Sequence, residues 1–126
     1  IPSTAEAYRL GEVLREVITK RWPGKERVAV IGTGGLSHEP GGPRYMCVDE
    51  EFDRWFLDLL AKGDHAQIVR EVTVERMDAA GSGGTAELLA WIAVLPFTAG
   101  PAEILGYTAS TSWRTGVGMA AWPVSE

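Results

Sequence analysis

The stretch VAVIGTGGLSHEPGG, residues 28–42, constrains the fold of this chain more than any other. Val28, Ala29, Val30 and Ile31 form a short, continuous, mostly β-branched apolar run. Such a run has the character of a strand buried on both faces, as in a parallel sheet. Gly34 and Gly35 then permit a sharp turn with close backbone approach. The turn delivers His38 into a segment too rich in glycine and proline for regular structure.

The flanking segments supply the helices that such a strand needs. Ser3 with Glu6 reads as a capping box, the hydroxyl and carboxylate each satisfying a free N–H at a helix start. Leu10, Val13, Leu14, Val17 and Ile18 follow at helical spacing and give one apolar face, and Pro23-Gly24 ends the helix. Asp49 is placed to cap a second helix with Phe52, Trp55, Phe56, Leu59 and Leu60 on one side, stopped near Gly63. The 65–78 stretch fits helical spacing better than strand alternation. GSGG at 81–84 reads as a flexible turn, after which Thr85 can cap a third helix with Leu88, Trp91, Ile92 and Leu95 facing inward. Strand-like pieces at 103–109 and 117–122 close the chain. The pattern predicts one α/β domain over residues 1–126, a mostly parallel sheet with flanking helices.

Several chemistries can be weighed on these residues. A dinucleotide turn fails, because the third glycine of G-x-G-x-x-G falls at Ser37 and HEPGGP cannot open the helix that must hold the pyrophosphate. No Gly-Lys-Ser/Thr follows for a Walker A loop. His38 lies just past the C-terminal end of the expected strand, where open α/β sheets place their ligand crevices. It reads either as a surface-loop histidine or as an acid–base group titrating near neutral pH. His65, beside Gly63-Asp64, reads as an ordinary exposed residue. Glu87 in a helix first turn is favoured by the macrodipole, and it can also face a crevice beside His38. One histidine with one glutamate is short of a transition-metal site.

The wording of the chain is more specific. RVAVIGTGGLSH, DEEFDRWFLDLL and GTAELLAWIA, in that order and spacing, resemble the class III extradiol ring-cleavage dioxygenases. The likeness is to the C-terminal half of the catalytic β subunits that open protocatechuate and gallate, and it runs strongest from Arg27 to Ile92. That resemblance implies Fe(II) held by two histidines and one glutamate, with open positions for substrate and O₂. It implies that Glu87 is the glutamate ligand and that His38 is the acid–base residue rather than a ligand. It also places both iron histidines in an N-terminal half outside residues 1–126. Neither His38 nor His65 matches those two ligands.

In STSWRTGVGMAAW the chain departs from the family pattern near the substrate carboxylate. Ser112 and Thr115 can donate hydrogen bonds there, and Arg114 can pair with a carboxylate. The implied reactants are a catecholic aromatic acid and O₂. The implied partners are a small α subunit or a fused equivalent, in a homo- or hetero-oligomer.

Composition agrees with this in what it excludes. A net charge of −5 without Lys/Arg clusters argues against a nucleic-acid surface. No apolar run reaches the length of a membrane span. The lone Cys47 forms no internal disulfide, which fits a reducing cytoplasm. A chain that starts at Ile1 directly before a helix is expected to be a fragment. The competing reading is a non-catalytic binding or assembly domain that kept the fold without the metal.

Overall fold

The computed structural model describes residues 1–123. Helix α1, Thr4–Glu16, begins with the expected capping box of Ser3 and Glu6 and runs on into a π turn, Val17–Arg21. Residues 22–49 carry no helix or strand. Helices α2 (Glu50–Lys62), α3 (His65–Glu71) and α4 (Val74–Ala80) follow, then a 3₁₀ turn, Thr85–Glu87, that leads into α5, Leu88–Val94. A second 3₁₀ turn, Leu95–Phe97, precedes an antiparallel hairpin of β1 (Glu103–Ser110) and β2 (Thr115–Ala121). The pairing slips between Ile104 and Gly106, leaving Leu105 as a bulge. The fold is therefore mixed α/β.

Local chemistry accounts for most of the helix ends. The Asp49 carboxylate accepts the Phe52 N–H at the start of α2, and Gly63 ends that helix in the left-handed region at φ 73°. Asp64 and Thr73 cap α3 and α4 in the same way. The 65–78 stretch is helical as expected, but it breaks at Val72, where Thr73 restarts the chain as α4. The core gathers Phe56, Leu57, Leu59 and Leu60 of α2, Ile68, Val72 and Met77, and Leu88, Trp91, Ile92 and Leu95 around α5. Phe56 meets Trp91 edge-on at 5.9 Å between ring centres.

The structure corrects four expectations. Among the described residues the only sheet is the antiparallel hairpin, and Val28–Ile31 belongs to no ladder. Ile31 is 80% exposed, and Val28 and Val30 are also open to solvent. A strand exists through the hydrogen bonds of a neighbour, and no described segment supplies one here. The second correction concerns α1. Leu10, Val13, Leu14 and Val17 are exposed, while Thr4, Ala7 and Gly11 are buried. Gly11 lies so close to the Ala93 carbonyl and Pro96 that any side chain would separate α1 from α5.

Third, Thr85 makes no cap hydrogen bond and lies inside the 3₁₀ turn instead. Last, His65 is half-buried rather than exposed. Its Nδ1 lies 3.1 Å from the Tyr8 hydroxyl and its Nε2 3.3 Å from Thr98 Oγ1, so it ties α1 to the chain after α5. The unpaired 28–34 segment, Trp91, Val94, Phe97 and residues 118–123 of the hairpin end together line a groove of about 840 Å³.

Candidate active site

His38 and Glu87 come together. His38 Nε2 is 3.6 Å from Glu87 Oε1. The imidazole is largely covered, with 17% of its side chain exposed, whereas the Glu87 side chain is 51% exposed. A glycine turn precedes each residue, and both turns are needed for the approach. Gly34 sits at φ 141°, and a Cβ there would lie 2.8 Å from Glu87 Cβ. With that path open, the Gly35 N–H donates to Glu87 Oε2 at 2.8 Å and the Trp91 indole donates to the Gly34 carbonyl at 3.1 Å.

The second turn, GSGG, holds His38 from the other side. Gly81 and Gly84 pack directly on the His38 carbonyl, and a Cβ at Gly84 would lie 2.7 Å from Nε2. Thr85 Oγ1 accepts the His38 N–H at 3.3 Å. The segment expected as a flexible turn is thus a tight wall of the site.

The direction of the imidazole follows from its hydrogen bond. His38 Nδ1 lies 2.8 Å from the Leu36 carbonyl, which can only accept, so Nδ1 carries the proton. Nε2 is then the ring atom turned toward Glu87. Leu36 and Ser37 are clamped in turn to the start of β2. The Leu36 N–H donates to the Gly116 carbonyl, and the Gly116 N–H donates to the Ser37 carbonyl.

Two buried carboxylates support this loop, and neither stands out in the sequence. Asp53 of α2 is fully buried and accepts from the Ser37 N–H at 2.8 Å, Ser37 Oγ at 3.0 Å and the Tyr107 hydroxyl at 2.7 Å. Burial pushes its carboxyl up, against the pull of those three donors. Burial and the adjoining Asp53 likewise push the Tyr107 phenol up. Glu39 is also buried, and it accepts from the Arg44 N–H, the Arg44 guanidinium and the Ser82 N–H. The Arg44 amide, opposed by desolvation, leads in holding that carboxyl below its usual range. A carboxylate in an i, i+4 helix pattern reads as surface, which is why Asp53 escapes a periodicity argument.

The three residues expected at a substrate carboxylate are dispersed around the hairpin. Thr115 is the nearest to the site, because a Cβ on Gly35 would touch both Thr115 Oγ1, at 2.6 Å, and the His38 ring, at 3.4 Å. Arg114 sits in the left-handed region at φ 59° in the hairpin turn. Its guanidinium donates to the Tyr45 hydroxyl and lies 4.3 Å from the centre of that ring. Ser112 is exposed at the hairpin tip. Among the described residues no three His, Cys, Asp or Glu side chains converge as a metal site. Glu87 Oε1 is free of hydrogen bonds to protein and its side chain is half open, which leaves the oxygen available to a metal, so the residues present fit one ligand rather than a full set.

Known proteins resemble this sequence. A family model described as the catalytic LigB subunit of aromatic ring-opening dioxygenase matches residues 1–120. Over 92 residues, 73% of the chain, the sequence is 35% identical to a gallate dioxygenase of Pseudomonas putida. The chain spans 26% of that relative's length. No helix among the described residues is long and apolar enough to cross a membrane. With a match that runs through both glycine turns and the residues they bring together, the chain belongs to the family of catalytic LigB subunits of aromatic ring-opening dioxygenases.

Proposed function

We propose that these residues form the acid–base side of an extradiol ring-cleavage site acting with O₂ on a catecholic hydroxybenzoate such as protocatechuate or gallate. In this reading residues 1–126 are the C-terminal part of a longer catalytic domain. Its N-terminal part brings two histidines that complete the Fe(II) site with Glu87, and a partner strand for Val28–Ile31 within a mostly parallel sheet. A small α subunit or fused equivalent, an oligomeric assembly and a cytoplasmic setting belong to the same proposal. The observation that carries it is the 3.6 Å approach of His38 Nε2 to Glu87, with Nδ1 tied to a backbone carbonyl.

The chemistry of the chain's own residues follows from that geometry. His38, with Nδ1 tied to the Leu36 carbonyl, presents Nε2 to a catechol hydroxyl seated beside Glu87 and takes the proton of that hydroxyl. Holding that proton, it can return it as the ring opens. Its cover by Gly81, Gly84 and Thr85 keeps the imidazole from swinging into solvent. Glu87 offers Oε1 to the metal while the Gly35 amide fixes Oε2, a supporting hydrogen bond of the kind that orients metal ligands. Bound Fe(II) would supply a template for substrate and O₂ and a path for electrons between them. In the same proposal Thr115, beside Gly35, reads the ring's carboxylate, and Arg114 and Ser112 join it only by leaving the Tyr45 ring and the hairpin tip.

The test is a contrast between two variants of the polypeptide that joins these residues to the N-terminal half. His38→Gln should keep its iron and lose roughly 10²- to 10⁴-fold in ring-cleavage rate, the usual contribution of a positioned acid–base group. Glu87→Ala should lose iron first and activity as a consequence. Residues 1–126 alone should turn over no catechol. Iron loss in the His38 variant with retention in the Glu87 variant would reverse the roles assigned here.

A further inference from the structure

We infer that Asp53 is a positioning residue for His38: through Ser37 it holds the Leu36–His38 backbone in the one conformation that keeps the His38 proton on Nδ1 and turns Nε2 to the site. The relevance to catalysis rests on the proposal that His38 is the acid–base group.

The chain of contacts is continuous. Asp53 Oδ1 accepts the Ser37 N–H, and Oδ2 accepts both Ser37 Oγ and the Tyr107 hydroxyl. Ser37 Oγ also takes the Asp49 N–H at 2.8 Å, which locks the loop to the first turn of α2. Ser37 is the residue immediately between Leu36, whose carbonyl accepts from Nδ1, and His38 itself. Gly116, bonded to the loop on both sides, lies so close to Asp53 Oδ2 that any side chain would displace the carboxylate. Asp53 is fully exchanged from water for these contacts, and no Lys, Arg or His faces it in a salt bridge among the described residues. A buried carboxylate balanced only by neutral donors is costly. An apolar residue would fill the same place at less cost if packing were its only purpose. What the carboxylate adds is a set of acceptors that a tight, irregular loop cannot find in its own backbone.

The test reads the tautomer of His38 directly and needs neither metal nor activity. The chain has two histidines, and the hydrogen bonds assign them opposite tautomers. Thr98 Oγ1 donates to the Leu95 carbonyl at 2.8 Å and so accepts from His65, which puts the His65 proton on Nε2. Long-range ¹H–¹⁵N spectra of the 126-residue chain at about pH 8, above the ordinary histidine pKa, should show one ring of each kind, with His38→Gln identifying its own signals. In Asp53→Ala the His38 ratio should move toward Nε2–H by about fivefold or more, the equivalent of one lost hydrogen bond, with His65 unchanged. Asp53→Asn retains an acceptor for the Ser37 amide and should keep the Nδ1–H form. Tyr107→Phe removes one donor without opening the core and should move the ratio in the same direction by less.

An unchanged His38 pattern in folded Asp53→Ala overturns the inference. Should the alanine variant not fold, an unchanged pattern in Tyr107→Phe does so. Failure here leaves the iron-and-rate contrast of the preceding section untouched, and failure there leaves the tautomer result standing.

Discussion

Placing the same methyl group at two glycines seven residues apart in one loop should give opposite results. At Gly34 the backbone lies at φ 141°, and a Cβ would stand 2.8 Å from Glu87 Cβ and 3.1 Å from the Glu87 carbonyl oxygen. The region is one that side chains avoid, at a cost of about 1–3 kcal/mol, and forcing atoms into a packed contact adds about 1–3 kcal/mol. The two costs share one relief, a shift of the turn away from Glu87, so they do not add fully. Gly34→Ala should therefore lose about 2–4 kcal/mol, and the shift should break the Trp91–Gly34 and Gly35–Glu87 hydrogen bonds. At Gly41 nothing lies within 4 Å of the added carbon, and φ is not positive. There the methyl only narrows the unfolded ensemble, so Gly41→Ala should be neutral or gain up to about 1 kcal/mol. Urea unfolding followed by tryptophan fluorescence measures both, read as a change in midpoint at constant slope. Equal losses at the two positions would refute the claim that the Gly34 turn is built around Glu87.

Three further outcomes follow from the packing and the charges. Leu60→Ala, in the fully buried centre, should cost about 2–5 kcal/mol, whereas Leu105→Ala on the exposed bulge should stay within about 0.5 kcal/mol; thermal unfolding of both checks where the core lies. Burial, opposed by Asp64, holds His65 below its ordinary pKa. The unfolded chain then binds the proton more readily, so the stability from His65 is complete above about pH 6.5 and is lost as pH falls through the lower folded value. His65→Gln should flatten that acid slope, and an unchanged slope would remove His65 from the account. The exposed Val28, Val30 and Ile31, with the groove they line, should make the folded chain enhance the fluorescence of the apolar dye ANS. Ile31→Ser should reduce the signal, and a folded chain that leaves the dye dark would contradict the exposure of this face.

Local chemistry could be read from the residues alone, and it was sufficient for most of the helix ends and for the hairpin. Ser3 with Glu6 and Asp49 with Gly63 mark helix ends because their hydrogen bonds close within a few residues. The apolar spacing of α2 and α5 likewise identifies Phe56, Leu60, Trp91 and Ile92 as core. The resemblance in GTGGLSH and ELLAWIA pointed to His38 and Glu87, which the fold does bring within 3.6 Å. The rest depended on partners remote in sequence. Periodicity gave α1 an apolar stripe, but the side that packs is the one whose small residues, Ala7 and Gly11, let α5 come close. Val28–Ile31 has the composition of a strand, yet a strand is a relation to a neighbour, and none of the described segments stands beside it. Asp53, Tyr107 and Ser37 are ordinary letters at separate places in the chain. Only the tertiary structure brings them together, Asp53 and Ser37 buried and Tyr107 half-buried, and that meeting turns three unremarkable polar groups into the support of the histidine loop.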